Sequence, residues 1–73
     1  MIYQKGDILV ANANHFMNPP GEQFLTAGRR YVITRVENYE TEEVEEVEEI
    51  VIIDDTNDEH WFSVVRLAEF FNL

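Results

Sequence analysis

Glu42-Glu43-Val44-Glu45-Glu46-Val47-Glu48-Glu49, followed directly by Ile50-Val51-Ile52-Ile53, is the stretch on which the fold turns. As a helix it would set Val44, Val47 and Val51 on one stripe, and glutamate is a good helix former. Against that, Glu42 would face Glu46 and Glu45 would face Glu49 at the i,i+4 spacing, where like charges repel. Glu48 and Glu49 would also crowd the negative end of the helix dipole. Ile50 to Ile53 are β-branched throughout and are ended by Asp54-Asp55-Thr56-Asn57-Asp58, the composition of a strand closed by a turn. The stretch therefore predicts a hairpin with its tip near Tyr39 to Glu43 and a strand from about Val44 to Asp54. Ile50 and Ile52 then face one side, Val51 and Ile53 the other. One face fills the core, and the other needs a cover from the C-terminal segment or from a second copy of the chain.

Outward from this hairpin the chain reads as further strands. Arg29 to Tyr39 alternates Tyr31, Ile33 and Arg35 with Val32, Thr34 and Val36, which predicts the preceding strand. Glu59-His60-Trp61-Phe62-Ser63-Val64-Val65 predicts the following one, with Trp61 or Phe62 as a principal core residue. Ile8-Leu9-Val10-Ala11, entered through the turn Lys5-Gly6-Asp7, predicts a first strand. Asn12 to Gly28 reads as a long loop marked by Asn12, Asn14, Asn18 and Pro19-Pro20-Gly21. Phe16, Met17, Phe24 and Leu25 either pin that loop to the core or, for Phe16, Met17 and Phe24, form a contact patch. Arg66 to Leu73 closes the chain as a short helix or turn, with Leu67, Phe70 and Phe71 on one side.

Seventy-three residues make one domain, residues 1–73, with 45% hydrophobic and 12% aromatic residues, too many for a disordered acidic tail. There is no cysteine, so disulfides and thiolate metal sites are excluded. Absence of a long apolar run or signal segment predicts a soluble, cytoplasmic protein. The net charge is −10, and twelve of the fifteen acidic residues lie between Glu37 and Glu59 with no Lys or Arg among them. That field disfavours direct binding to nucleic acid or to anionic membranes and predicts a basic partner.

Catalysis finds little support in the sequence. Ser63 is the only serine and falls inside a predicted strand, and Gly6, Gly21 and Gly28 form no phosphate loop. Mutually repelling, solvated glutamates lack the contrasting environments that divide acid from base roles. Asp54-Asp55-Thr56-Asn57-Asp58 begins like a calcium loop, but Glu59 stands where the glycine belongs and Val65 where the final glutamate belongs. His15 and His60 have no neighbouring ligand residue. The reading is a non-enzyme without metal or cofactor.

Lys5-Gly6-Asp7-Ile8-Leu9-Val10, Ala27-Gly28-Arg29-Arg30-Tyr31-Val32-Ile33, Val51-Ile52-Ile53-Asp54-Asp55 and His60-Trp61-Phe62 together resemble the layout of small SH3-like proteins encoded by tailed bacteriophages. The resemblance implies a mostly β fold, a small SH3-like barrel of four to five antiparallel strands with a short C-terminal helical segment. It also implies a host-takeover factor acting in the host cytoplasm. Within that group the chain is similar to sliding-clamp inhibitors, which act as dimers placed in the DNA channel of the clamp. The peptide that engages clamps has a glutamine followed by spaced leucines and a terminal aromatic. Gln23-Phe24-Leu25 has its opening, and Thr26-Ala27-Gly28 lacks the rest.

Two functions are carried forward. In the first, Glu42, Glu43, Glu45, Glu46, Glu48 and Glu49, extended by Asp54, Asp55, Asp58 and Glu59, imitate the charge of DNA. They occupy the basic surface of a DNA-handling protein such as a sliding clamp. The chain is a homodimer joined through Val51, Ile53, Phe70 and Phe71. In the second, the barrel is a non-enzymatic adaptor that grips a peptide or an assembly with Phe16, Met17 and Phe24. The bland alternative for the charge run is a solvated face that keeps a small protein soluble.

Overall fold

A computed structural model describes residues 3–18, 21–40, 42 and 46–73. The chain is mostly β, with three small antiparallel sheets that do not close into a barrel and one short 3-10 helix near the C-terminus. The strands are β1 (Ile8–Ala11), β2 (His15–Phe16), β3 (Gln23–Leu25), β4 (Arg30–Val32), β5 (Arg35–Tyr39), β6 (Val47–Ile53), β7 (Glu59–Ser63) and β8 (Phe71–Asn72). The 3-10 helix runs over Val64–Glu69, between β7 and β8. A long first excursion, a hairpin, a tight turn and a closing helical piece follow one another in the order the sequence predicts.

The segment read as one strand from Arg29 to Tyr39 is bent into two. The backbone changes partner at Ile33 and Thr34: the Ile33 N–H donates to the Asp7 carbonyl at 2.8 Å, and the Thr34 N–H to the Val51 carbonyl at 2.8 Å. β4 therefore belongs to the sheet β4-β1-β8 and β5 to the sheet β5-β6-β7. The bend stacks the two sheets around one core. Leu9, Ala11, Tyr31 and Phe71 fill it from the first sheet and Ile50, Ile52 and Phe62 from the second, with Leu67 of the helix sealing one end.

Asn12 to Gly28 is not an unstructured loop. β2 and β3 pair within it, His15 opposite Leu25 and Phe16 opposite Gln23, with a register shift between them. The return is tight: a Cβ at Gly21 would collide with the Met17 carbonyl. The asparagines that mark the segment supply its fastenings. Asn14 Oδ1 accepts from the Ala27 N–H at 2.8 Å, and the Asn12 N–H donates to the Phe70 carbonyl at 2.9 Å.

The choice of strand for the central stretch holds over Val47–Ile53. Its partners are β5, with Val36 opposite Ile50, and β7, with Phe62 opposite Ile50. β5 runs to Tyr39, opposite Val47; of the expected tip between Tyr39 and Glu43, residues 41 and 43 lie outside the described residues, as do Val44 and Glu45 of the expected strand.

Candidate functional site

The sheet β5-β6-β7 turns one face to the core and the other to solvent. Strand alternation puts Arg35, Glu37 and Tyr39 of β5, Val47, Glu49, Val51 and Ile53 of β6, and Glu59, Trp61 and Ser63 of β7 on the outer face. Val51 is nevertheless fully buried. Its cover comes from its own cross-strand neighbours, Arg35 on one side and Trp61 on the other, with the guanidinium 5.6 Å from the Trp61 ring. Glu37 locks the pair: Oε1 accepts from Arg35 Nε at 2.8 Å and Oε2 from Trp61 Nε1 at 3.1 Å. Arg35 Nη1 reaches Glu59 at 2.7 Å. The bonds from Arg35 and then Trp61 hold the Glu37 carboxyl below its ordinary pKa, while those to Glu37 and Glu59 raise Arg35.

This canopy corrects two expectations. The outer face needs neither a second copy nor the C-terminal segment to cover Val51, and Val51 is not available as a dimer contact. Trp61 lies on this outer surface, 44% exposed, while Phe62 is the aromatic that enters the core.

The ten acidic residues assigned to a partner-binding surface divide into structural and free groups. Asp54 belongs inside, its side chain 1% exposed. Its Oδ1 accepts from the Thr56 N–H at 2.8 Å and from Thr56 Oγ1 at 2.6 Å, and its Oδ2 from His60 Nδ1 at 2.9 Å. A carboxylate only accepts, so Nδ1 carries the proton in this bond. Burial pushes the Asp54 pKa up, but the bonds from Thr56, His60 and the Asp58 backbone outweigh it and hold the group below its usual value.

Asp55 is likewise structural. It accepts from Tyr31 Oη at 2.8 Å, Thr26 Oγ1 at 2.6 Å and Arg29 Nη1 at 3.0 Å, tying the turn to β3 and β4. Burial, and secondarily the bond to Asp55, raises the Tyr31 phenol above its ordinary value. Glu59 is drawn into the Arg35 pair. Glu42, Glu46 and Asp58 are exposed, Glu48 and Glu49 half-buried, and Glu43 and Glu45 lie outside the described residues.

The other assigned contacts are also redistributed. Phe24 is a core residue, 6% exposed, whose ring stacks on His60 at 4.6 Å, so it is not a loop contact. Met17 packs against the same core, and Phe16 is exposed. Phe71 is buried in β8 and Phe70 is half-buried against the core, which removes the former and most of the latter from a dimer seam; Ile53 remains 42% exposed. A feature missed from sequence is a groove of about 410 Å³ between the start of β6 and the start of the helix. Val47, Val64 and Val65 line it together with Glu46, Glu48 and Ser63. The run of valines at 64 and 65 was its only visible signal.

Among the described residues no group of three His, Asp or Glu side chains forms a metal set, and no helix is long and apolar enough to cross a membrane. Comparison with protein-family models, curated proteins and solved structures finds no match for this chain.

Proposed function

We propose that this chain is a non-enzymatic acidic protein that occupies the basic, DNA-binding surface of another protein and competes with DNA for it. The observation that carries the reading is the separation of paired from unpaired charge. Arg29, Arg35 and Arg66 are each engaged by Asp55, by Glu37 and Glu59, and by Glu69. Glu40, Glu42, Glu46, Glu48 and Glu49 have no ion-pair partner among the described residues, and all five cluster at one end of the β5–β6 hairpin. Glu48 and Glu49 point to opposite faces of β6, so this end of the hairpin offers carboxylates on both sides, a concentration of negative charge of the kind that a nucleic-acid backbone presents. A surface built to hold DNA presents Lys and Arg to such a concentration, and uncompensated charge steers the encounter. The sequence resemblance offers a host DNA-handling protein, such as a sliding clamp in a phage-infected cell, as the target. Reversing Glu42, Glu46, Glu48 and Glu49 to Lys tests the reading: partner capture from a bacterial lysate is lost in the variant and, for the wild type, displaced by duplex DNA.

The groove beside Val64 and Val65 favours a second reading, a peptide-binding adaptor. Its valines fit the apolar side chains of a short peptide segment, and Glu46 and Glu48 in the same lining fit a neighbouring Lys or Arg. Val65, 90% exposed, separates the two. Val65→Glu abolishes capture by the adaptor and leaves DNA-competed capture intact.

A further inference from the structure

The two cations left over from the ion pairs, Lys5 and Arg30, have no acidic partner among the described residues. Arg30 projects from the outer face of the β4-β1-β8 sheet, directly opposite Val10 across the strand pair. Next to it on the same face is the cross-strand pair Ile8 and Val32, 54% and 50% exposed. Lys5 sits in the turn that leads into β1, where the Gly6 N–H donates to the Ile33 carbonyl. The outer face of this sheet, in a chain with net charge −10, is therefore apolar with one unpaired cation, Arg30, among the described residues.

The outer face of the β5-β6-β7 sheet has the complementary character. Trp61, Tyr39 and Ile53 are exposed there; Arg35 on the same face is taken up by Glu37 and Glu59, which leaves Glu49 as the carboxylate of this face without an ion pair among the described residues. Both sheets back onto the same core, so the two outer faces point to opposite sides of the molecule. Neither has a covering element among the described residues, and the charge left without an ion pair is positive on the first (Arg30) and negative on the second (Glu49).

We propose that the cationic apolar face of one copy docks on the anionic aromatic face of a second copy, head to tail. Arg30 then meets Glu49, while Ile8 and Val32 pack against Trp61 and Ile53. Because the two faces differ and point apart, the contact is heterologous and leaves one free face at each end of the pair, so association does not close at two chains. The overall negative charge opposes it, but at physiological salt that repulsion is screened beyond about 8 Å and the local pairs decide. The proposal concerns the chain alone and stands apart from any DNA-handling partner.

The test is sedimentation of the full chain from micromolar to millimolar concentration at physiological salt, with the emission of Trp61, the single tryptophan, followed in parallel. The mean mass rises past two chains without a plateau, and Trp61 emission shifts with it. Arg30→Glu and Val32→Glu alter exposed side chains, so both variants keep the wild-type far-ultraviolet circular dichroism while remaining at the mass of one chain. Glu49→Lys, on the opposite face, has the same effect. A wild type that stays at one chain throughout, a plateau at two chains, or an Arg30→Glu variant that associates like the wild type each overturns the proposal.

Discussion

Replacing Asp54 by Ala removes a carboxylate that is almost fully enclosed and holds three donors: the Thr56 N–H, Thr56 Oγ1 and His60 Nδ1. Hydrogen bonds to a charged group contribute about 1.5–3 kcal/mol each, and donors left unpaired inside cost further. These terms are not additive, and relief of the buried charge offsets part of them, so the net loss is about 3 kcal/mol. A chain of 73 residues has a total stability of roughly 4–11 kcal/mol, so the loss is a large fraction of the whole. At 4–8 °C per kcal/mol for a domain of this size, the melting temperature falls by roughly 12–24 °C. Thermal and urea unfolding followed by circular dichroism at neutral pH measures it. The acid limb gives a second readout. The folded-state pKa of Asp54 is depressed, so its stabilising contribution is full above the unfolded value of about 4 and is lost as pH falls through the lower folded value. Asp54→Asn keeps the shape without the titration and loses stability less steeply in that window. A melting temperature lowered by less than about 4 °C in Asp54→Ala, or an unchanged acid limb in Asp54→Asn, refutes the assignment of Asp54 as the anchor of the turn.

Three further outcomes follow from the packing. Tyr31→Phe deletes a buried hydroxyl that donates to Asp55 and accepts from the Thr26 N–H; urea unfolding shows a loss of about 1–3 kcal/mol, and the Arg29–Asp55 pair becomes mobile by NMR. Gly21→Ala drives a Cβ into the Met17 carbonyl and forces the β2–β3 return to open, costing about 1–3 kcal/mol by the same assay and broadening the amide signals of Met17 and Glu22. Trp61→Ala uncovers Val51, and since the indole is already half in water its cost is about 1–2 kcal/mol, below that of a fully buried aromatic.

Much of the β framework could be read from the chain because it rests on local periodicity. Ile50 to Ile53 are too strongly β-branched to be anything but a strand, and Asp54 to Asp58 is a turn by side-chain chemistry alone. The pairs that hide Asp55 are long-range, whereas Asp54 is held by Thr56 and His60 close to it in the chain. Asp55 looks like any other turn carboxylate in sequence, and nothing local indicates that Tyr31, Thr26 and Arg29 converge on it. The β2–β3 hairpin escaped for a different reason. Strands of two and three residues are too short to show a period of two, and the Asn and Pro residues around them signal a loop. Trp61 was ambiguous for a third reason: adjacent aromatics at Trp61 and Phe62 face opposite sides, and only the pairing with Ile50 and Val51 decides which one enters the core. The acidic surface of the sequence reading thereby shrinks to the end of the β5–β6 hairpin and the exposed Asp58, while Asp54, Asp55 and Glu59 are taken up in bonds within the fold.

Competition between duplex DNA and this chain for one captured protein tests the central claim most directly. Wild-type chain immobilised at physiological salt retains a DNA-binding protein from a bacterial lysate, duplex DNA releases it in proportion to concentration, and the variant reversed at Glu42, Glu46, Glu48 and Glu49 retains none. Retention that DNA leaves untouched, or equal retention by the reversed variant, contradicts it.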